Sequence, residues 1–398
     1  MKEKKTSPLL DRPIAPLPTD ELLAWYDAGH RDLPWRHKPT PYRVWVSEIM
    51  LQQTRAEAVR PYFERFTEVL PNVNALAEAE DDVLNKLWQG LGYYSRVRNL
   101  KAAAEVIRRD YGGEIPRDHT VLRTLPGIGP YTAGAIASIA YGEAVPAVDG
   151  NVLRVLSRFW GDERYISDPT LRGEYERLLQ RYIPADRAGD FTQSLIELGA
   201  TLCGPNTKPA CEECPLRGAC VAFGESKTDC IPCRQKKKPR RQERRTVLVI
   251  LAGDAVLLRK RPESGLLAGL YEFPTIVGDP TPNEVYRHLG ELGVTPERIE
   301  EMPPAVHIFT HVEWHMRGLK VGAKDYGIRR DTPLFFLYEN GKTLKKSGTA
   351  LIDHTPGVFE DAGRVLEVEY VWASREGFAE KYAVPSAFQA FIPEGFAR

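Results

Sequence analysis

The stretch LRTLPGIGPYTAGAI, residues 122–136, sets three glycines and two prolines among small apolar residues. It reads as two helices meeting at a tight turn, with Pro130 at the first position of the second helix, where a fixed φ is favoured. Gly127 and Gly129 let the backbone approach another surface closely. The helix behind them points free N–H groups and its positive dipole end outward, a geometry suited to a phosphate. A plain helix–helix turn explains the glycines equally well, so both readings stand at this level. Downstream, AVPAVDGNVLRVLSRFW (144–160) puts Asp149 just before Gly150 and Asn151 at the start of another helix. That is an ordinary N-cap, and it is also a place where the dipole and free amides keep a carboxylate ionised.

Outward from this turn the helical patterns continue. DELLAWYDAGH opens with Asp20 as an N-cap, RVWVSEIMLQQTRAEAVRPYFERF carries apolar residues at three-and-four spacing, and NLKAAAEVIRRDYGG ends on glycines. Beyond RQKKKPRRQERR (234–245), which has eight basic residues and one acid, strand patterns take over. RRTVLVILAGDAVLLRKRP reads as two strands joined at Gly253-Asp254, PLFFLYENGKTL holds an Asn-Gly hairpin turn, and GRVLEVEYVWAS alternates apolar and polar. A chain of 398 residues suits two or three cores. The expected fold class is therefore multidomain: an extension over 1–19 without order, an all-α domain over 20–233, a basic linker over 234–245, and an α+β domain over 246–398.

Bulk properties exclude some classes. Basic and acidic residues balance at 54 each, so net charge alone points to no polyanion, and only the basic run departs from that balance. No apolar run is long enough to cross a bilayer, and the basic first residues lack the apolar segment of a signal peptide, so a cytoplasmic protein is expected. All six cysteines lie between 203 and 233. Cys203, Cys211, Cys214 and Cys220 are read as thiolate ligands, because a chain without a secretory signal is a poor candidate for disulfides. Their spacing leaves tetrahedral zinc and an iron–sulfur cluster equally open. Cys230 and Cys233 read as reduced surface thiols.

Taken together, LPGIGPYTAGAIASIAYGEAVPAVDGNVLRVLSR resembles the helix-hairpin-helix and catalytic aspartate of the base-excision DNA glycosylases related to endonuclease III. RDLPWR, YRVWVSEIMLQQT, LWQGLGYYSRVRNL and FTQSLIELGATLC narrow the resemblance to the adenine DNA glycosylase, or MutY, family. It spans roughly Leu22 to Cys220 and resumes weakly beyond. The resemblance implies a [4Fe–4S] loop at 203–220 held by Cys203, Cys211, Cys214 and Cys220. The family spacing is C-x6-C-x2-C-x5-C, whereas here seven residues separate Cys203 from Cys211, an insertion that a loop absorbs readily.

The same resemblance assigns roles. Glu48 is the acid that protonates N7 of adenine, a role that burial among Trp45, Val46, Ile49 and Leu51 favours by raising its pKa; unaided, the sequence reads it as a surface glutamate. Asp149 is the ionised partner that stabilises an oxocarbenium-like sugar or bonds transiently to C1′, and Asn151 orients it. Tyr131 stands where bifunctional relatives carry a lysine; a phenol forms no Schiff base, so base release without strand cleavage is expected, in place of a glycosylase/lyase or a non-catalytic iron–sulfur DNA-binding protein. Arg31, Trp35, Leu51 and Gln193 match the adenine pocket. Gln53, Leu91 and Tyr93 match residues that wedge into the base stack, and Thr54 stands beside Gln53. Gly127 and Gly129 match phosphate-binding positions. The second domain resembles a NUDIX-like module, and no carboxylate cluster of the hydrolytic kind occurs between Gly265 and Val294. Its implied task is recognition of 8-oxoguanine, by Phe309, Thr310 and His311 where the family has Phe-Ser-His. The implied partner is duplex DNA carrying adenine opposite 8-oxoguanine or guanine, and the implied state is a monomer in the cytoplasm, at the nucleoid.

Overall fold

The computed structural model describes residue 9 and residues 14–205, 208–235, 239–324, 329–339, 342–346 and 365–396. Two compact units result: Met1–Ala79 with Ser95–Lys237, and Glu80–Tyr94 with Lys238–Arg398. The segment 80–94, placed by sequence in the helical domain, thus groups with the second unit. No helix among the described residues is long and apolar enough to cross a membrane.

The first unit is helical. The apolar-patterned run after Pro41 is two helices, Pro41–Leu51 and Ala56–Val69. Pro41 occupies the first helical position, and the Thr40 hydroxyl accepts from Arg43 N–H at 3.4 Å. The break has a clear cause at the far end. Arg96, buried at the start of helix Ser95–Tyr111, donates Nη1 to the carbonyls of Ile49, Met50 and Gln52 at 2.9, 2.9 and 2.6 Å. These are the carbonyls a helix end leaves without partners, and satisfying them from outside stops the helix at Leu51. Gln53 follows with φ 58°, a left-handed backbone uncommon for a residue with a side chain.

Two expectations from the sequence are corrected in this unit. Asp20 is no cap: the helix is Thr19–Gly29, Pro18 precedes it, and Asp20 lies in the first turn, where its charge still suits the dipole. The N-terminal extension is docked in part. Leu9 and Leu17 are buried in the helical core, and Trp160 Nε1 donates to Ala15 O at 3.2 Å; residues 1–8 and 10–13 lie outside the described residues. That core gathers Val152, Leu156 and Phe159 of helix Gly150–Phe159, Leu171 and Tyr175 of Pro169–Leu179, and Phe191, Leu195 and Leu198 of Ala188–Thr201. Each such side chain contributes roughly 1.5–3 kcal/mol by leaving water.

The glycine turn is a helix-hairpin-helix, His119–Leu122 followed by Pro130–Ala135, the latter continuing as a π-turn over Ile136–Ala140. Leu125 and Ile128 are buried and anchor the loop, while Gly127 and Gly129 face outward. Gly127 has φ 72°, and a Cβ there would lie 2.7 Å from Asn99 Cβ. Gly134 faces a closer neighbour: a Cβ would meet the Pro146 carbonyl oxygen at 2.2 Å. The hairpin helix therefore packs directly on the extended chain that leads to Asp149.

The second unit is built on one mixed sheet. Its strands are β1 (Arg241–Ala252), β2 (Ala255–Lys260), β3 (Tyr271–Glu272), β4 (Thr275–Val277), β5 (Pro296–Ile308), β6 (Val312–Ala323), β7 (Pro333–Glu339), β8 (Lys342–Lys346) and β9 (Val365–Ser374). The order is β5-β6-β1-β2-β9-β7-β8, with β3 on β2 and β4 on β1. β1 and β6 run parallel, Arg241 opposite Val312 through Leu251 opposite Gly322, and the other pairs are antiparallel. The basic run is thus not all linker, since its last five residues open β1. The Gly253-Asp254 hairpin forms, with Ala252 opposite Ala255. β7 and β8 pair as a hairpin, and its Asn340-Gly341 turn lies outside the described residues.

Alternate residues of β1 enter separate cores. Val247 and Val249 join Phe378, Phe388 and Phe391 on one face, whereas Leu248 and Ile250 join Val285 and Leu289 on the other. Helix Pro282–Glu291, opened by a capping box between Thr281 and Glu284, covers the second face. Segment 80–94 is tied to this unit by Lys86 Nζ, which donates to the carbonyls of Phe378 and Tyr382 at 3.0 and 3.1 Å, and by Gln89 Nε2 to Val384 O at 2.7 Å. Lys86 is therefore a structural tie and not a solvated surface lysine.

Two glycines of the hairpin should respond oppositely to substitution. Gly134→Ala places a methyl against backbone, which yields less than a side chain, and should cost about 1–3 kcal/mol. Gly129 has φ −85°, and a Cβ there would have nothing within 4 Å, so Gly129→Ala should change stability by less than about 1 kcal/mol. Urea midpoints of both variants against the parent protein measure the difference.

Candidate active site

Three elements of the helical unit meet at a pair of carboxylates. Glu48 lies on helix Pro41–Leu51, whose neighbours Trp45, Val46, Ile49 and Met50 are all buried, and the Glu48 residue is itself only 6% exposed. Burial disfavours its charged form and pushes its pKa from 4.5 to about 7. The Tyr131 hydroxyl, at the start of the hairpin helix, donates to Glu48 Oε2 and pulls the other way, Asp149 adds to the rise, and Arg36 lowers it. Tyr131 is pushed well above its ordinary value by burial and by the two acids, so it stays a neutral donor.

Asp149 caps helix Gly150–Phe159. Its Oδ1 accepts from Val152 N–H at 2.8 Å, and its Oδ2 accepts from Asn151 Nδ2 at 2.7 Å. These donors favour the anion, yet burial is the larger influence and moves the pKa up from its ordinary value. The donors expected at the cap are present, and they moderate the effect of desolvation on this carboxylate.

Asn151 is held in turn. Its Oδ1 accepts from Arg154 Nη2 at 2.9 Å, and the same guanidinium donates to Gly199 O at 2.7 Å and to Cys203 O at 2.8 Å. A Cβ on Gly199 would sit 2.6 Å from Asn151 Cβ, so only glycine lets helix Ala188–Thr201 come this near. One turn on, Arg158 Nη1 donates to Cys203 Sγ at 3.2 Å and to Gly204 O at 3.1 Å.

Cys203, Cys211, Cys214 and Cys220 line one cavity whose walls include Phe159, Leu198 and Phe223. All four are free thiols, half-buried. Burial pushes Cys214 up to about 12 and raises Cys211 and Cys220, so holding them as thiolates calls for a bound cation. The donor set, with Arg158 directed at one sulfur, fits a thiolate-bound metal group; among the described residues no three Cys, His, Asp or Glu are gathered closely enough to hold a single ion. Cys230 and Cys233 stand apart from this cavity, and part of the loop carrying the extra residue, 206–207, lies outside the described residues.

Two stretches of the chain match known families. Residues 46–183 match the HhH-GPD superfamily of base excision DNA repair proteins, and residues 246–394 match a NUDIX domain. The chain is 36% identical to the adenine DNA glycosylase of Mus musculus, over 73% of this chain and 68% of the mouse protein. For Rattus norvegicus the figures are 34%, 79% and 74%, and for Buchnera aphidicola subsp. Acyrthosiphon pisum 33%, 75% and 85%.

The chain belongs to the adenine DNA glycosylase family. It is accordingly a hydrolase of N-glycosyl bonds, acting on adenine in DNA, and its two units are a helix-hairpin-helix glycosylase unit and a NUDIX-like unit.

The remaining sites expected of such a glycosylase divide between the units. In the first, Trp35 is buried edge-on to Phe63 at 5.5 Å, Leu51 and Gln193 are half-buried, and Thr54 lies within 3.5 Å of Arg96. Gln53 is exposed. In the second, Leu91 is buried, whereas Tyr93 is 47% exposed with φ 49°, following Gly90 and Gly92. Tyr93 Oη and Thr310 Oγ1 are 3.3 Å apart, so two residues expected to meet DNA share a hydrogen bond. The Phe309–His311 turn joins β5 to β6. Phe309 packs on Trp314 at 4.8 Å, its carbonyl accepts from Arg240 Nε at 3.1 Å, and Thr310 and His311 are exposed.

Sequence reading missed Arg36, Arg154, Arg158 and Glu197. Arg36 stands in RDLPWR and Glu197 four residues after Gln193 on one helix, so periodicity could have flagged Glu197 as a charge on a buried face.

Glu48 also leaves a signature in stability. Its folded pKa of about 7 lies above the 4.5 of an unperturbed glutamate, so its contribution is intact below pH 4.5 and is lost as pH rises through 7. Glu48→Gln removes that loss. Its stability should match the parent near pH 4 and exceed it by up to about 3 kcal/mol at pH 8, from denaturation curves at the two pH values.

Proposed function

We propose that this glycosylase releases adenine paired with 8-oxoguanine or guanine in duplex DNA, with Glu48 as general acid and Asp149 as the charge that stabilises the sugar. The observation that carries this reading is the buried Glu48 carboxyl, its pKa raised to about 7 and hydrogen-bonded to Tyr131, with a second, half-buried carboxylate, Asp149, held by its own donors. Protonated Glu48 donates to N7 of the flipped adenine, and the C1′–N9 bond breaks with its electron pair going to the base. Asp149 faces the resulting cation, as electrostatic partner or by a transient bond to C1′, and Asn151 fixes which oxygen it presents. Water then adds to C1′ and gives its proton to Glu48, restoring the acid. Tyr131, a neutral phenol engaged with Glu48, offers no amine for a Schiff base, in line with a monofunctional enzyme that leaves an abasic site.

Arg31, Trp35, Leu51 and Gln193 form the adenine pocket in this reading, with Thr54 near it. Gln53, Leu91 and Tyr93 fill the gap in the stack. The exposed Gly127 and Gly129 amides take phosphate, with nothing above Gly129 to bar close approach. Phe309, Thr310 and His311 read 8-oxoguanine. The protein acts as a monomer on duplex DNA in the cytoplasm, at the nucleoid. Cys203, Cys211, Cys214 and Cys220 hold a [4Fe–4S] cluster; four thiols lining one cavity, with Arg158 donating to the Cys203 sulfur, support that reading. When bound, it keeps the four sulfurs as thiolates and cross-links the loop.

Single-turnover adenine release from four duplexes, with 8-oxoguanine, guanine, cytosine or thymine opposite the target, tests the reading. Release should be fastest opposite 8-oxoguanine, strands should break only after hot alkali, and the rate should fall as pH rises through about 7. Glu48→Gln should lower the rate by roughly 10²–10⁴-fold. Equal release from all four duplexes would remove the discrimination assigned to the second unit.

A further inference from the structure

Glu197 is the most completely enclosed acid near the site, with a side chain 1% exposed. Arg31 donates to it three times, through its backbone N–H at 3.1 Å, Nε at 2.8 Å and Nη2 at 3.0 Å. Arg36 adds Nη2 at 2.8 Å and returns Nη1 to the Arg31 carbonyl at 2.8 Å. One carboxylate thus closes the 31–36 loop, which also carries Trp35, onto helix Ala188–Thr201, which carries Gln193. The two arginines are not equivalent: Arg31 also meets Glu57 at 3.2 Å, while Arg36, its side chain 10% exposed, is the cation that acts on Glu48.

We propose that Glu197 is the positioning residue of the acid site: by binding Arg31 and Arg36 together it fixes the pocket loop and neutralises Arg36, whose charge acts on Glu48. This deepens the reading of Glu48 as general acid and rests on it. A fully desolvated anion between two guanidiniums is costly to leave incomplete, and charge-assisted forks hold their geometry tightly. Glu48 accepts from the Tyr131 hydroxyl of the hairpin helix, and the charges of Asp149 at the cap and Arg36 in the pocket loop act on it. Glu197 is faced by the two arginines, with the Tyr26 ring 5.6 Å beneath Arg36 and Asp27 and Asp190 acting on that phenol. Of these groups only Arg36 joins the two carboxylates, so removing the charge of Glu197 strengthens the pull of Arg36 on Glu48, and removing Arg36 abolishes it.

The test is the pH dependence of single-turnover adenine release opposite 8-oxoguanine. In Glu197→Gln the alkaline limb should move to lower pH, the rate at pH 8 falling about tenfold for each unit moved. In Arg36→Gln the limb should move to higher pH. Glu197→Asp, which keeps the charge on a shorter arm, should lose rate at all pH values yet keep the limb in place. A purely structural role predicts slower release in every variant with an unmoved limb, and that result overturns the proposal. Arg36→Gln and Glu197→Asp keep it testable should Glu197→Gln fail to fold. Failure of the underlying reading looks different: the parent enzyme would then show no limb near pH 7 that Glu48→Gln abolishes.

Discussion

The helical unit must hold two carboxylates, the buried Glu48 and the half-buried Asp149, largely out of water without loss of their orientation. Either would settle more comfortably in solvent. Glu48 is kept inside by the apolar residues around it on its own helix, and it is kept oriented by the Tyr131 hydroxyl. Asp149 is fixed by a backbone amide and a side-chain amide, one on each oxygen. Burial raises both pKa values, and the polar contacts moderate that rise without cancelling it. The result is a site in which protonation is decided by small differences, as acid–base chemistry at neutral pH demands.

Holding such a site requires backbones to approach more closely than side chains permit, and the glycines mark where. Gly134 lets the hairpin helix touch the Pro146 carbonyl, and Gly199 lets another helix touch Asn151. From there the order extends through Arg154 to the carbonyl of Cys203, and Arg158 contacts that residue's sulfur. A continuous hydrogen-bonded path therefore links Asp149 to the cysteine cavity. Anything that displaces Cys203 displaces the partners of Arg154.

The parts legible in the sequence were those governed by local rules. Pro130 after two glycines, Asp149 before a helix, and a period of two in β9 each follow from backbone geometry or side-chain alternation within a few residues. What stayed hidden depends on partners far along the chain. The stop at Leu51 comes from Arg96, and the left-handed Gln53 follows from it. The role of Lys86 depends on carbonyls almost three hundred residues away, and Glu197 acquires its meaning only beside Arg31 and Arg36. Glu48 was legible only through its likeness to relatives, because an amphipathic helix gives no hint that its acid faces inward.

The second unit shows the same division of labour by different means. Its sheet supplies a rigid frame: β1 is buried on both faces, and β6 lies parallel to it along eleven paired positions, from Arg241 opposite Val312 to Leu251 opposite Gly322. The turn at Phe309–His311 projects from the end of that frame. Phe309 is drawn back onto Trp314, whose Nε1 donates to Glu243 at 3.0 Å and whose ring lies 4.0 Å beneath Arg245. Three residues of the basic run, Arg240, Glu243 and Arg245, thus brace the turn or the tryptophan under it, in keeping with the strand that the last five residues of that run form. Thr310 and His311 are exposed, and Thr310 Oγ1 shares a hydrogen bond with Tyr93 Oη, so the frame fixes the turn while its polar groups stay at the surface. Polar groups held by a stiff backbone lose little entropy when they bind, which is the physical support for the recognition task proposed for this turn.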